Sequence, residues 1–416
     1  MQNGSLLGTK SPPSRGVVGR PVHLGSRVIR KSLIFSSSLI FCFGLTVISD
    51  RVVGMFVPHR EPGLVFPSNA RYHFQTPEFS FNLEINSLGF RDREFSIRRT
   101  AKTRILALGD SFTYGWGVEA SQSWPKLVES NLRATGHDVE IANLGKPGGS
   151  PRNYADIAEK ATPALKPDLL IIVVLQGDDL AQMEQSIQAG DQNQTPANSG
   201  AVRRSLRRVT DWLYPNFLAL LNESAEPPAL SFQWKEDAKS LLAAMTPESK
   251  LRFEHLDKEI KQAFMNGDLN PSLVYLAVAK PDYFLQTLDG NSPKVKLLIS
   301  EMAKQFARIK AVASHNKADV IVISVPYGIY VSPSSFKTRQ RLGFSTAPEM
   351  LTNDAEDEAI RTASQMAGIP FYDLTRQFRK LSATTDLFFT LDGHFNSAGH
   401  KYFADNLTLI LQDKIP

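Results

Sequence analysis

The sequence contains one cysteine, Cys42, and it lies inside an apolar run near the N-terminus. The chain beyond that run therefore has no disulfide and no thiol to be oxidised, which is compatible with a bacterial periplasm. Metal-ligand spacing is also missing: the histidines are scattered and no Cys/His pattern suggests zinc. There is no Gly-x-Gly-x-x-Gly or Walker-type loop for a nucleotide, so neither a metal nor a cofactor is expected. No internal repeat is present. Acidic residues are absent from residues 1–32, which carry Lys10, Arg15, Arg20, Arg27, Arg30 and Lys31. The whole chain has a net charge of only +5, so the remainder sits near −1. That excludes a general nucleic-acid-binding surface.

The basic excess reads instead as a topology signal. Ser32 to Ser49 (SLIFSSSLIFCFGLTVIS) holds no charged residue, and its length is near the lower limit of the roughly 17–25 residues of a membrane-spanning helix. Basic residues crowd its N-terminal side, while only Arg51 and Arg60 follow closely. The positive-inside rule then places residues 1–31 in the cytoplasm, makes 32–49 a transmembrane anchor of the inner membrane, and puts the bulk of the chain in the periplasm or exterior. A cleaved signal peptide is the competing reading, but no small-x-small site follows the run.

Past the anchor, residues 58–103 read as a small β-rich lead-in. Phe79, Phe81, Leu83 and Ile85 alternate with polar residues, the period of a half-buried strand, and Asn86-Ser87-Leu88-Gly89 supplies a turn. From Arg104 onward, strands alternate with helices. Ile105–Leu108, Val139–Ala142, Leu169–Leu175, Val320–Val325 and Phe371–Leu374 are the expected strands. Helices are marked by Pro125 and Gly136 at the ends of one apolar periodicity, and by Ser292-Pro293 at the start of another. Five strands with intervening helices predict an α/β fold with a parallel doubly wound sheet over 104–416. Residues 180–292 interrupt the alternation as a mainly helical insertion, a lid or a partner surface. Within it, 186–201 reads as a mobile polar loop, and Arg203, Arg204, Arg207 and Arg208 as a solvated helix face or an anion-binding patch.

Four turns carry the chemistry. Gly109-Asp110-Ser111, Asn143–Gly149 and Gln176–Asp179 each follow a strand, and Asp392-Gly393-His394-Phe395-Asn396 precedes the last helix. In a parallel sheet such turns meet at one edge. A serine, two glycine-rich loops and an Asp/His pair would converge there: nucleophile, oxyanion donors, general base and orienting carboxylate for acyl transfer.

In this order the blocks GDSFTYG, NLGKPGG, QGDD and DGHFNSAGH resemble those of the SGNH (GDSL-type) hydrolases, a serine esterase family, over Gly109 to His400. The resemblance implies a flavodoxin-like three-layer α/β/α fold and hydrolysis of an ester, often an acetyl on a carbohydrate. Carried across by position, Ser111 would be the nucleophile, His394 the general base and Asp392 its orienting partner. The backbone N–H groups of Ser111 and Gly148 would face the oxyanion. His400 is the lesser candidate for the base.

Two departures stand out. One residue separates Asp392 from His394 where the family usually has two, a tail similar to that of the alginate O-acetylation proteins, which move acetyl groups. The third block usually supplies an asparagine to the oxyanion, and the matching position is Asp178; an ionised carboxylate has no proton to donate. Asp178 points away, or is protonated, or Gln176 provides the amide, and the last is the expectation. The sequence thus predicts a membrane-anchored serine esterase acting on an acylated carbohydrate or similar ester. The alternatives are an O-acetyltransferase of surface polysaccharide and a catalytically silent polysaccharide-binding protein.

Overall fold

The computed structural model describes residues 24–53, 63–192 and 230–415. The arginines 203–208 and the polar stretch 193–201 lie outside the described residues. The chain forms two compact units. The described part of the first is the helix Leu24–Val53, in which Ile34–Val53, 20 residues of mean hydropathy 1.4, is long and apolar enough to cross a membrane.

The second unit is built on a sheet of five parallel strands: β3 (Thr103–Gly109), β4 (Val139–Gly145), β5 (Leu169–Leu175), β6 (Asp319–Val325) and β7 (Phe371–Tyr372), after the antiparallel hairpin β1 (Arg71–Gln75) and β2 (Ser80–Glu84). The spatial order is β4-β3-β5-β6-β7. Chain order reverses between β3 and β5, the crevice where open α/β sheets of this order bind ligands. The strands form because they are apolar on both sides. Ile105 and Ala107 face one core with Trp124, Val128, Phe403 and Leu407. Leu106 and Leu108 face the other with Tyr154, Ala158, Leu298 and Met302. Each such leucine or isoleucine contributes about 1.5–3 kcal/mol of burial. Helices cover both faces, so the architecture is the expected three-layer α/β/α sandwich.

Local signals set the helix ends. The Ser292 hydroxyl accepts the Val295 N–H and Pro293 opens the helix Pro293–His315. Gly136, at φ +94°, follows the helix Trp124–Ala134. Two boundaries differ from the sequence reading. Residues 186–192 do not start a loop but end the helix Asp178–Gln192, because Gln, Ala and Glu sustain a helix that two C-terminal glycine and aspartate positions only weaken. The last strand is two residues long, ending before Asp373, whose carboxylate pairs with Arg361.

The insertion is helical over Leu230–Ala244, Pro247–Glu254, Lys258–Asn266 and Pro271–Ala279. Phe253, Phe264 and Phe284 pack it into the same core as Tyr327, Phe344 and Met350. The hairpin packs through Phe79 and Phe81 on Trp116, just past the Ser111 turn.

Candidate active site

β3 ends at Gly109, and a Cβ there would lie 2.1 Å from Thr113 Oγ1, so only glycine lets the chain turn this tightly. Asp110 caps the short helix Ser111–Tyr114 by accepting the Phe112 N–H at 2.9 Å. Burial pushes the Asp110 carboxyl up, against the charge of His394. The turn sets Ser111 at the strand mouth with its Oγ 2.6 Å from His394 Nε2. His394 Nδ1 hydrogen-bonds Asp392 Oδ1, which also accepts the His394 N–H at 3.2 Å. A hydrogen from Nδ1 to the carboxylate leaves Nε2 as the acceptor for the Ser111 hydroxyl, the tautomer a general base needs. Burial lowers the His394 pKa, but the charge and hydrogen bond of Asp392 outweigh it and the net shift is upward. Asp392 moves the other way: burial raises it, and His394 brings it below the usual carboxylate value.

Gly148 lies in the loop after β4 at φ +65° and lines the same cavity as Ser111. Among the described residues, no protein acceptor takes the N–H of Ser111 or of Gly148. The loop is tied to the start of the helix Asp178–Gln192 through Tyr154, whose hydroxyl lies 2.9 Å from Asp179 and 3.2 Å from the Gly149 carbonyl.

The structure corrects the expectation for Gln176. Its amide N–H groups donate to Asp357 at 2.8 Å and Thr375 at 2.7 Å, and its carbonyl accepts the Tyr327 N–H at 3.1 Å. Every polar atom of the side chain is used beneath the sheet edge, so it is a buried structural group and not an oxyanion donor. Asp178 does line the cavity. Tyr283 donates to its Oδ1 at 2.8 Å and Gln182 to its Oδ2 at 2.6 Å, while burial raises its pKa. His400 is buried on the last helix, accepts the Trp124 N–H at Nδ1 (3.4 Å) and is driven by burial down to about 3. It stays neutral and away from Ser111.

The cavity over Ser111 measures about 210 Å³. Its polar floor is Ser111, Gly148, Asp178 and His394, and the insertion supplies an apolar wall of Leu273, Leu276 and Phe284. Four residues about the site escaped the sequence reading. Arg91, from the lead-in, donates to the carbonyls of Gly115 and Val118, each at 2.6 Å, and so holds the chain just past Ser111. Glu78 and Arg339 grip the Asp392 loop, and Tyr283 reaches Asp178. A solitary charge or tyrosine, in a loop or like Arg339 on the helix Pro333–Arg341, carries no sequence signal of such a role. Among the described residues no group of His, Cys, Asp and Glu could hold a metal ion.

No protein-family model and no curated protein matches the chain. Solved structures do align with it. A lipase/acylhydrolase from Enterococcus faecalis is 13% identical, with a TM-score of 0.34, over 76% of this chain and 97% of its own. A catalytic mutant of Axe2, an acetylxylan esterase from Geobacillus stearothermophilus, is 11% identical, with a TM-score of 0.35, over 77% and 97%. TesA is 10% identical, with a TM-score of 0.36, over 75% and 99%.

Proposed function

We propose that the protein is a serine esterase that removes a short acyl group, an acetyl above all, from a carbohydrate or similar ester. The observation that carries this is the hydrogen-bonded chain Ser111–His394–Asp392 opening onto a cavity beside the Gly148 loop. His394 Nε2 takes the Ser111 proton as Oγ attacks the ester carbonyl. The oxyanion then forms against the N–H groups of Ser111 and Gly148, each preorganised donor worth about 3–4 kcal/mol. The C–O bond breaks, the leaving alkoxide takes the proton from Nε2, and the acyl group stays on Oγ. Water, deprotonated by the same nitrogen, releases it as the acid. The helix Ile34–Val53 and the basic residues before it support a membrane anchor with this site in the periplasm.

A second reading, transfer of the acyl group to a sugar hydroxyl, draws on Asp178. A carboxylate lining the cavity is an acceptor for an incoming hydroxyl, a role the amide N–H of an asparagine cannot fill.

The test is p-nitrophenyl acetate turnover by the full chain in detergent, beside Ser111→Ala, with and without a pyranoside acceptor. Turnover lost only in the variant supports the esterase. Acetylated pyranoside that again depends on Ser111 selects the transferase. Background rates in both proteins, with no covalent labelling of Ser111 by a fluorophosphonate, would leave a silent binder.

A further inference from the structure

We propose that Glu78 and Arg339 are positioning residues that clamp the Leu391–Asp392 dipeptide, which makes the N-terminal hairpin part of the catalytic apparatus. The inference rests on the serine-esterase reading of Ser111, His394 and Asp392. The two Glu78 oxygens accept the N–H groups of Leu391 and Asp392, each at 2.8 Å. Arg339 Nη1 and Nη2 donate to the carbonyls of the same two residues, each at 3.0 Å. A carboxylate only accepts and a guanidinium only donates, so the pair satisfies all four backbone polar groups of the dipeptide. Side chains 261 residues apart in sequence thus converge on the residue that orients the base.

Both arms of the clamp are themselves held. Glu78 stands in the β1–β2 turn, where the Thr76 hydroxyl oxygen accepts the N–H of Glu78 and of Phe79, both at 3.2 Å. Phe79 packs on Phe389, with ring centroids 5.1 Å apart, which fixes the turn against the same loop. Arg339 is buried, its guanidinium 5.5 Å from the Tyr327 ring centroid. Gly393 completes the arrangement. It sits at φ +88°, and a Cβ there would lie 1.4 Å from Arg339 Nη2. With only that residue between Asp392 and His394, the backbone must fold back sharply to bring carboxylate and imidazole together. A loop this short has no slack, so the direction of Asp392 depends on what holds its backbone, and a misplacement of about 1 Å can cost about 10²-fold in rate.

The titratable and charged groups that face His394 are Asp392, Asp110, Asp178, Arg339 and the neutral His400. Loosening Asp392 removes the main influence that raises His394, so the acid limb of reactivity moves to lower pH. The experiment compares the wild-type full chain, Glu78→Gln and Arg339→Lys. Glutamine keeps the shape of Glu78 but turns an NH₂ toward one of the two N–H donors, and lysine keeps the charge of Arg339 but loses the fork. We measure kcat and KM for p-nitrophenyl acetate, the pH dependence of fluorophosphonate labelling, and Tm. The expected result is a kcat lowered about tenfold or more with KM nearly unchanged, and an acid limb displaced downward. A structural role alone would lower Tm and the labelled fraction without moving the limb. Wild-type kcat and limb in either folded variant would overturn the clamp, and if Glu78→Gln does not fold, Arg339→Lys carries the same decision. A wild-type chain that neither turns over nor labels at Ser111 would instead overturn the esterase reading.

Discussion

The Tyr283 hydroxyl donates to Asp178 Oδ1 at 2.8 Å, joining the helical insertion to the end of β5 inside the cavity of Ser111. With Gln182 on its other oxygen, Asp178 has a donor partner on both sides. Asp178→Asn keeps the bond from Tyr283 if Gln182 turns its amide over, and it replaces the carboxyl group by an amide N–H donor. We expect kcat for ester hydrolysis to rise on the order of tenfold, a part of what a full oxyanion donor contributes. A fall in kcat with folding intact would show instead that the Asp178 carboxylate takes part in the reaction.

Gln176 tests the corrected assignment. Removing its side chain strips a donor from Asp357 and leaves the Tyr327 N–H without its acceptor. Each buried group left unpaired costs about 1–3 kcal/mol. Gln176→Ala should therefore lower stability in urea unfolding by about 2–4 kcal/mol, while kcat per folded molecule stays near wild type. Unchanged stability with a large loss of kcat would return Gln176 to the oxyanion site.

Below the same strand end, Glu356 accepts the Gly177 N–H at 3.0 Å and the Thr287 hydroxyl at 2.6 Å. Burial pushes its pKa from 4.5 up to about 7. The folded state thus binds a proton that the unfolded state releases between those values. The stability this contributes is fully present below pH 4.5 and is lost as pH rises through about 7. The span corresponds to about 3 kcal/mol. Thermal unfolding between pH 5 and 8 should show wild-type Tm falling with pH, and the slope should be shallower in Glu356→Gln, which cannot ionise. Equal slopes in the two proteins would mean that Glu356 does not carry this linkage.

The fold was legible wherever one residue type dominated a stretch. Leu169–Leu175 is apolar throughout and is a strand with both faces buried, and Ser292-Pro293 begins a helix because a hydroxyl and a fixed φ suit that position. The structure brings Ser111, His394 and Asp392 into one hydrogen-bonded chain, and that meeting was legible because a strand end and a short Asp-x-His tail each stand out locally. Gln176 was misplaced because the strand end alone says nothing about side-chain direction. Its amide turns to Asp357, 181 residues away, a partner no spacing rule identifies. Glu78 was invisible for the same reason, its backbone partners Leu391 and Asp392 lying over 300 residues on.

The insertion sets the last expectation, because Leu276 and Phe284 close one side of the cavity over Ser111. An acyl chain on Ser111 Oγ that runs along this side of the cavity would meet Leu276 and Phe284, and these side chains would then set its length. Leu276→Ala removes three carbons from the wall and leaves Ser111, His394 and Asp392 untouched. Longer chains then find apolar surface, at about 0.8 kcal/mol for each methylene newly buried, or about fourfold in kcat/KM. The ratio of kcat/KM for p-nitrophenyl butyrate over acetate should rise by up to about sixteenfold for two methylenes, with acetate turnover little changed. An unaltered ratio would mean that the acyl group lies elsewhere and that Leu276 faces the leaving alcohol.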